Sequence, residues 1–246
     1  MMVEQIESWA NNGAKNCHVK LNGAVLSLEE SLRHLPRKRL TCCATWQGKI
    51  VIAKFFYGSR FLKYITQEEL VLNALNDANI KTPNLLHVYQ QEDFGVLIIE
   101  FIPDSTTLLN WLKDAPDELE FESVMSNVTK LLLACHESGF EIRDPHLDNF
   151  LVQYNEVFLI DAGDINSTNV CLDDKQSIKN LALLYAQLPV SLDASACEIL
   201  EKTLNASSLI SSINKDNWQQ LLLKQRRWRQ KKFIDKKVFR ECSAFT

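Results

Sequence analysis

Glycine and proline are scarce, at 7 and 6 of 246 residues, and neither clusters. That excludes collagen-like and linker-like chains, and no low-complexity tract or internal repeat points to a solenoid. The seven cysteines (Cys17, Cys42, Cys43, Cys135, Cys171, Cys197 and Cys242) include no C-x-x-C pair, which argues against a zinc ribbon or a dithiol redox centre. Odd in number and scattered, they read as reduced core thiols of a cytosolic protein. No apolar run approaches the roughly 18 residues of a membrane span. The opening MMVEQIESWANNGAKN has neither the basic start nor the apolar core of a secretory signal, so the expected location is cytoplasmic.

What is present is ordinary for a globular protein: 46% hydrophobic and 24% charged residues. The length suits one large domain or two small lobes. The net charge of −4 is unevenly spread. Lys224 to Arg240 holds nine Lys/Arg against Asp235 alone, leaving 18 basic against 30 acidic residues, or −12, for the remainder. So acidic a body argues against nucleic-acid binding. The basic end suits either a solvated helix face or contact with an anionic membrane surface or substrate. Its Trp228, Phe233, Ile234, Val238 and Phe239 do not share one helical stripe, which disfavours a single long membrane-lying helix and leaves two short segments, broken near Gln230, to dock on the body or a bilayer.

Along the chain, Asn22-Gly23 predicts a hairpin turn within Cys17 to Leu26. Ser27 with Glu30 has the spacing of a capping box, predicting a short helix that Pro36 ends. Arg39 to Trp46 and Lys49 to Phe56 are β-branched, apolar runs joined at Gln47-Gly48, hence antiparallel strands, with Lys54 near the end of the second. A helix is expected from about Phe61 to Ala78, with Glu68 and Glu69 at its middle. Strands follow at Asn84 to Tyr89 and Gly95 to Ile102 around a turn at Glu92 to Phe94. Beyond Pro103 the pattern changes to helices at Thr107 to Lys113 and Glu118 to Ser138, then short strands at Phe150 to Gln153 and Val157 to Ile160, then helices.

The chemistry concentrates between these last elements. The loop Ile142-Arg143-Asp144-Pro145-His146-Leu147-Asp148-Asn149 precedes a strand, and Val157 to Ile160 runs into Asp161-Ala162-Gly163. Oxygen donors on two such loops suit a hard cation that keeps water and phosphate as its other ligands. Phosphoryl transfer asks for a held metal, a group that orients the attacking hydroxyl, and a cation on the donor phosphates.

D-x-x-x-x-N, then a strand, then D-x-G resembles the catalytic and metal loops of the protein-kinase-like superfamily. The upstream Lys strand (Ile52-Ala53-Lys54), the helix with a central Glu and the strand ending Ile98 to Ile102 stand in the same order. Asn79-Ile80-Lys81-Thr82-Pro83, Cys135-His136-Glu137-Ser138-Gly139 and Asp144-Pro145-His146-Leu147-Asp148-Asn149-Phe150-Leu151-Val152 resemble segments of the lipopolysaccharide-core sugar kinases, the Kdo and heptose (WaaP-like) kinases.

The resemblance implies an α+β, two-lobed protein-kinase-like fold, with an antiparallel-sheet lobe over residues 1–101 and a helical lobe over 102–246. It implies ATP and Mg2+ as cofactors. Lys54 would hold the inner phosphates, Glu68 (or Glu69) would orient Lys54, and backbone groups of Glu100 and Ile102 would meet the adenine. Asp144 would orient the acceptor hydroxyl or accept its proton, and Asn149 and Asp161 would hold the metal. The implied acceptor is a Kdo or heptose hydroxyl of lipid-linked lipopolysaccharide core at the cytosolic face of the inner membrane, where a basic tail would suit peripheral contact.

Departures are equally visible. Thr41 to Trp46 stands where a Gly-rich loop is expected, Ile142 precedes the catalytic Asp in place of His, Pro145 follows it, and Ala162 replaces the Phe of D-F-G. Other readings of the same residues are an atypical Ser/Thr protein kinase, a small-molecule kinase, or a nucleotide-binding pseudokinase. His136, His146, Arg143 and Asp164 each have an ordinary structural reading: loop hydrogen bonding, carboxylate steadying or helix capping.

Overall fold

Hairpin turns that need a positive φ open the first unit. The computed structural model describes residues 2–12, 17–168, 170–205 and 215–235. After α1 (Met2–Asn12) come β1 (Cys17–Leu21) and β2 (Ala24–Leu35), joined at Asn22 and Gly23, with φ of 47° and 88°. β3 (Arg39–Trp46) and β4 (Lys49–Tyr57) are joined the same way at Gln47 and Gly48, with φ of 51° and 75°. Such paired left-handed residues match the twist of the strands they connect. Then follow α2 (Phe61–Asp77), β5 (Leu85–Gln90) and β6 (Phe94–Glu100). The six strands form one antiparallel sheet in the order β1-β2-β3-β4-β6-β5.

Strand alternation separates a core face from the face that carries Lys54. Val51, Ala53, Phe55 and Tyr57 of β4 enter a cluster with Ile6 and Trp9 of α1 and with Val19, Leu26, Leu40 and Ile98. Lys54, one residue out of that phase, points the other way. α2 packs on β4 and β6. Gly95 permits this approach, since a Cβ there would lie 2.5 Å from the Ile65 side chain.

The short helix expected after Ser27 is a strand instead. Leu26 and Leu28 bury on the core face opposite Trp46 and Ala44 of β3, and Ser27 bonds His18 Nδ1 at 2.9 Å rather than capping a helix. Register shifts between Leu28 and Glu30 and between Ser31 and Arg33 interrupt the alternation that would have announced a strand.

The second compact unit spans residues 104–246, the first ending at Pro103. It contains β7 (Thr106–Thr107), α3 (Leu108–Lys113), α4 (Glu118–Glu137), β8 (Phe140–Ile142), β9 (Phe150–Gln153), β10 (Glu156–Leu159), β11 (Ile165–Ser167), α5 (Asp174–Tyr185), α6 (Asp193–Asn205) and α7 (Lys215–Asp235). α4 and α5 open on capping boxes, Asp117 with Glu120 and Asp173 with Gln176. α4 buries Phe121, Val124, Met125, Val128, Leu132 and Cys135, a stripe of helical period. Its C-terminus turns at Gly139, whose φ of 78° and close approach to the Val170 carbonyl both exclude a side chain.

α7 continues through Gln230, where a break was expected. Phe233 and Ile234 lie in its last turn, while Val238 and Phe239 fall outside the described residues. The inward stripe missed in the sequence is Trp218, Leu222, Gln225 and Arg229, with polar and charged members that an apolar pattern does not find. Among the described residues no helix is long and apolar enough to cross a membrane. The described cysteines are free thiols; Cys17, Cys42 and Cys135 are buried as core thiols should be, whereas Cys171 is exposed. Burial pushes the Cys135 thiol up to about 12.

Candidate phosphotransfer site

In the first unit, Lys54 Nζ donates to Glu68 Oε1 at 2.5 Å, joining β4 to α2. Glu68 is only 1% exposed and Lys54 12%. Glu69, the neighbouring candidate, is half-buried, and it is Glu68 that takes the lysine. A carboxylate so buried needs compensation, and it has two cations, because Arg39 Nη1 lies 3.9 Å from Glu68 Oε2. Arg39 did not emerge from the sequence. It was read only as the first residue of a strand, and it begins β3 directly after the turn from Leu35.

A Gly-rich loop was sought at Thr41 to Trp46, but the turn before the Lys54 hairpin lies earlier, between Leu35 and Arg39. Thr41 to Trp46 is strand interior, and the chain reverses at Pro36-Arg37-Lys38 with Lys38 N–H donating to the Leu35 carbonyl at 3.1 Å. Arg37 has φ 61°, and its N–H donates to Glu7 Oε1 of α1 at 2.5 Å. Tyr57 N–H donates to the Lys38 carbonyl at 3.0 Å, and a Cβ on Gly58 would sit 2.5 Å from the Arg37 oxygen. The tip, which carries Arg37 and Lys38, is therefore pinned against the end of β4.

Glu100 ends β6, and its side chain accepts from Asn84 N and Nδ2 at 3.1 and 2.7 Å. Its own N–H donates to the Asn84 carbonyl at 2.9 Å. Ile102 follows, buried.

In the second unit the two loops are stitched together. β8 and β11 pair with Ile142 opposite Ile165, and Arg143 N–H donates to the Asp164 carbonyl at 3.1 Å. Asn149 Nδ2 donates to the Asp144 carbonyl at 3.3 Å, and Ile160 N–H donates to the Asn149 carbonyl at 2.8 Å. Asp144, Asn149 and Asp161 thus belong to one local cluster, although 17 positions separate the first from the last in the numbering. Asp161 is left-handed, φ 65° and ψ 63°. For a residue with a Cβ that conformation costs of order 1 kcal/mol, and such outliers collect at functional sites.

The surrounding polar residues serve the loop. His146 Nδ1 accepts from Asp148 N–H at 3.2 Å, a turn-capping role. That bond makes Nδ1 an acceptor, so the 3.3 Å approach of Asp148 Oδ2 to the same nitrogen is proximity and not an ion pair. Arg143 donates to Asn166 Oδ1, which steadies the loop. Buried His136 shares its Nε2 proton with Asn180 Oδ1 at 2.9 Å, and Asn180 Nδ2 donates to the Ile142 carbonyl at 2.6 Å. Burial holds His136 below its ordinary value, and the bond to Asn180 opposes this only in part. Asp164 contributes its carbonyl to the β8–β11 connection and caps no helix of the loop.

Among the described residues no three His, Cys, Asp or Glu side chains gather as a metal cluster. Asn149 and Asp161 form a sparser oxygen set. That donor chemistry fits magnesium, which binds few protein groups and takes phosphate and water for the rest.

No family model and no curated protein sequence matches the chain. Solved structures do: 1911 chains match. One is described as WaaP in complex with acyl carrier protein, similar at TM-score 0.59 over 83% of this chain and 89% of that one, with 17% sequence identity. At that identity the likeness is one of fold. The chain has the α+β kinase-like fold, an antiparallel-sheet unit followed by a helical unit. Many chemistries share that fold, so function rests on the site.

Proposed function

We propose that this chain is an ATP- and magnesium-dependent kinase whose acceptor is a Kdo or heptose hydroxyl of the lipopolysaccharide inner core. The observation that carries the reading is the Lys54–Glu68 pair. A buried carboxylate holds a strand-borne lysine at 2.5 Å, an arrangement costly to build and suited to presenting one fixed cation to phosphate. Lys54, with Arg39 beside Glu68, holds the donor phosphates, and backbone groups of Glu100 and Ile102 take the adenine. Asn149 and Asp161 hold Mg2+, which when bound neutralises charge on the transferring phosphoryl group. Asp144 takes the proton of the acceptor hydroxyl.

The acceptor class rests on two supports. One is the fold shared with a protein titled WaaP. The other is the outward face of α7, where Lys224, Arg227 and Lys231 are exposed together with Leu223 and Trp228. Cations interleaved with an aromatic and an aliphatic side chain suit an anionic lipid surface, where a lipid-linked sugar would be met.

The test is transfer of label from γ-labelled ATP, comparing wild type with Asp161→Ala on deacylated and full-length inner-core lipopolysaccharide. Label on core sugar with wild type alone supports the proposal. Label only on Ser/Thr or a soluble metabolite reassigns the acceptor, and nucleotide binding without transfer to any acceptor makes the chain a pseudokinase.

A further inference from the structure

The basic end of the chain reaches the proposed catalytic loop. On α7, Trp218, Leu222, Gln225 and Arg229 recur at intervals of four, three and four, and all four are buried. An arginine placed in such a stripe loses its hydration and must recover it from partners. Arg229 has them. Nη1 donates to Asp144 Oδ1 at 3.0 Å and Nη2 to Gln187 Oε1 at 2.9 Å, with the side chain 7% exposed. Gln187 carries the contact onward: its Nε2 donates to the carbonyl of Pro145 at 2.7 Å, and its Oε1 lies 3.4 Å from the Leu147 N–H. Arg229 and Gln187 together grip the loop at residues 144, 145 and 147.

A neighbour on the same helix shows what purely structural anchoring looks like. Arg226 forks onto Asp193 at 2.7 and 2.6 Å and donates to the Leu188 carbonyl at 3.1 Å, tying α7 to the start of α6 without touching the loop. Two arginines three residues apart thus divide the work. One fixes the helix, and the other ends on the carboxylate proposed to receive the acceptor proton.

We propose that Arg229 is a positioning residue for phosphoryl transfer, acting through Asp144. A guanidinium held on Oδ1 and on Gln187 fixes the plane of the carboxylate and keeps a balancing positive charge against it. In the transfer step the acceptor oxygen bonds to the γ-phosphorus, the bond from that phosphorus to the bridging oxygen breaks to leave ADP, and the hydroxyl proton passes to Asp144. Arg229 sets the orientation from which Asp144 accepts it. The inference rests on the kinase reading of Asp144.

The experiment measures kcat, KM for ATP and thermal midpoint for the full chain as wild type, Arg229→Gln, Arg229→Lys, Arg226→Gln, Asp144→Asn and Asp144→Asn/Arg229→Gln. Arg229→Gln is expected to lower kcat by about 10–100-fold, the penalty of a misplaced reacting group, with KM for ATP changed by less than about twofold. Arg229→Lys keeps the charge but not the fork and recovers part of kcat. Arg226→Gln lowers the midpoint and leaves kcat unchanged. In the Asp144→Asn background, Arg229→Gln adds no further loss. The proposal is overturned by wild-type kcat in Arg229→Gln, by equal kcat losses in the Arg226 and Arg229 variants, or by additive losses in the double variant. If Arg229→Gln does not fold, Arg229→Lys decides: wild-type kcat there overturns the proposal, and a reduced kcat with unchanged KM supports it. A wild type that transfers to no acceptor sinks the kinase reading itself, a result distinct from an active enzyme indifferent to Arg229.

Discussion

Ile160 donates its amide to the carbonyl of Asn149 at 2.8 Å, so the residue before one proposed metal ligand is bonded to the backbone of the other. The bond fixes where the chain enters Asp161, and Asp161 then turns left-handed before a one-turn 3-10 helix begins at Ala162. Backbone placement and side-chain chemistry are consequently separable at this position.

Asp161→Asn tests that separation. Asparagine tolerates the left-handed region at least as well as aspartate, so the unfolding free energy from urea melts should stay within about 0.5 kcal/mol of wild type. Phosphate transfer should fall at least about 100-fold, since the lost charge is the one proposed to hold the metal. Asp161→Ala should lose activity equally and also lose roughly 1 kcal/mol of stability from the backbone conformation. Equal activity in Asp161→Asn and wild type would remove Asp161 from the site.

The Lys54–Glu68 pair predicts an asymmetry. Lys54→Met leaves Glu68 buried with only Arg39 at 3.9 Å, and breaking such a pair from one side costs roughly 3–5 kcal/mol. Converting both residues to apolar ones, Lys54→Met with Glu68→Leu, should recover most of that stability and none of the activity. Denaturant melts of the two variants beside transfer assays decide this. A double variant no more stable than the single one would show that the pair is not the source of the loss.

The sheet unit was legible where local chemistry is strong. Asn22-Gly23 and Gln47-Gly48 announce their turns, and Lys49 to Phe56 reads as a strand, which the structure extends to Tyr57. β2 was not legible, because the register shifts at Leu28/Glu30 and Ser31/Arg33 disrupt its alternation while Ser27 and Glu30 imitate a helix cap. Arg39 was read only as the start of a strand, because its approach to Glu68 joins residues far apart in the sequence. In the helical unit, Asp144, Asn149 and Asp161 were singled out by their spacing together with the resemblance it bears to kinase loops. Arg229 and Gln187 were not, since each bonds to loop residues forty or more positions away and each is a polar residue that is buried. Buried polar networks carry no periodic signature of their own.

Arg39 supplies a nucleotide-specific prediction. It shares Glu68 with Lys54 and opens the strand behind the basic turn, so its loss should weaken donor binding more than chemistry. Arg39→Gln is expected to raise KM for ATP by about tenfold, or about 1.4 kcal/mol, with kcat within about threefold of wild type. An effect confined to kcat would place Arg39 in the transfer step and not in donor binding.

His136 gives the chain an acid sensitivity whose sign follows from burial. The ring is buried, and loss of hydration holds its folded value below the ordinary 6.5, with the Asn180 bond and the charge of Glu141 opposing. The unfolded chain therefore binds this proton more readily than the folded one. Its contribution is complete above about pH 6.5 and declines as the pH falls below that toward the folded value. Because Asn180 also holds the Ile142 carbonyl at 2.6 Å, charging His136 strains the strand that leads into Asp144. Urea midpoints at pH 7.5 and 5.5 should show wild type losing stability on acidification and His136→Gln losing measurably less. Gln keeps a donor for Asn180 but has no proton to gain. Identical acid losses in the two proteins would place the sensitivity elsewhere, and transfer activity measured at both pH values would show whether the loop, and not only the fold, registers the charge.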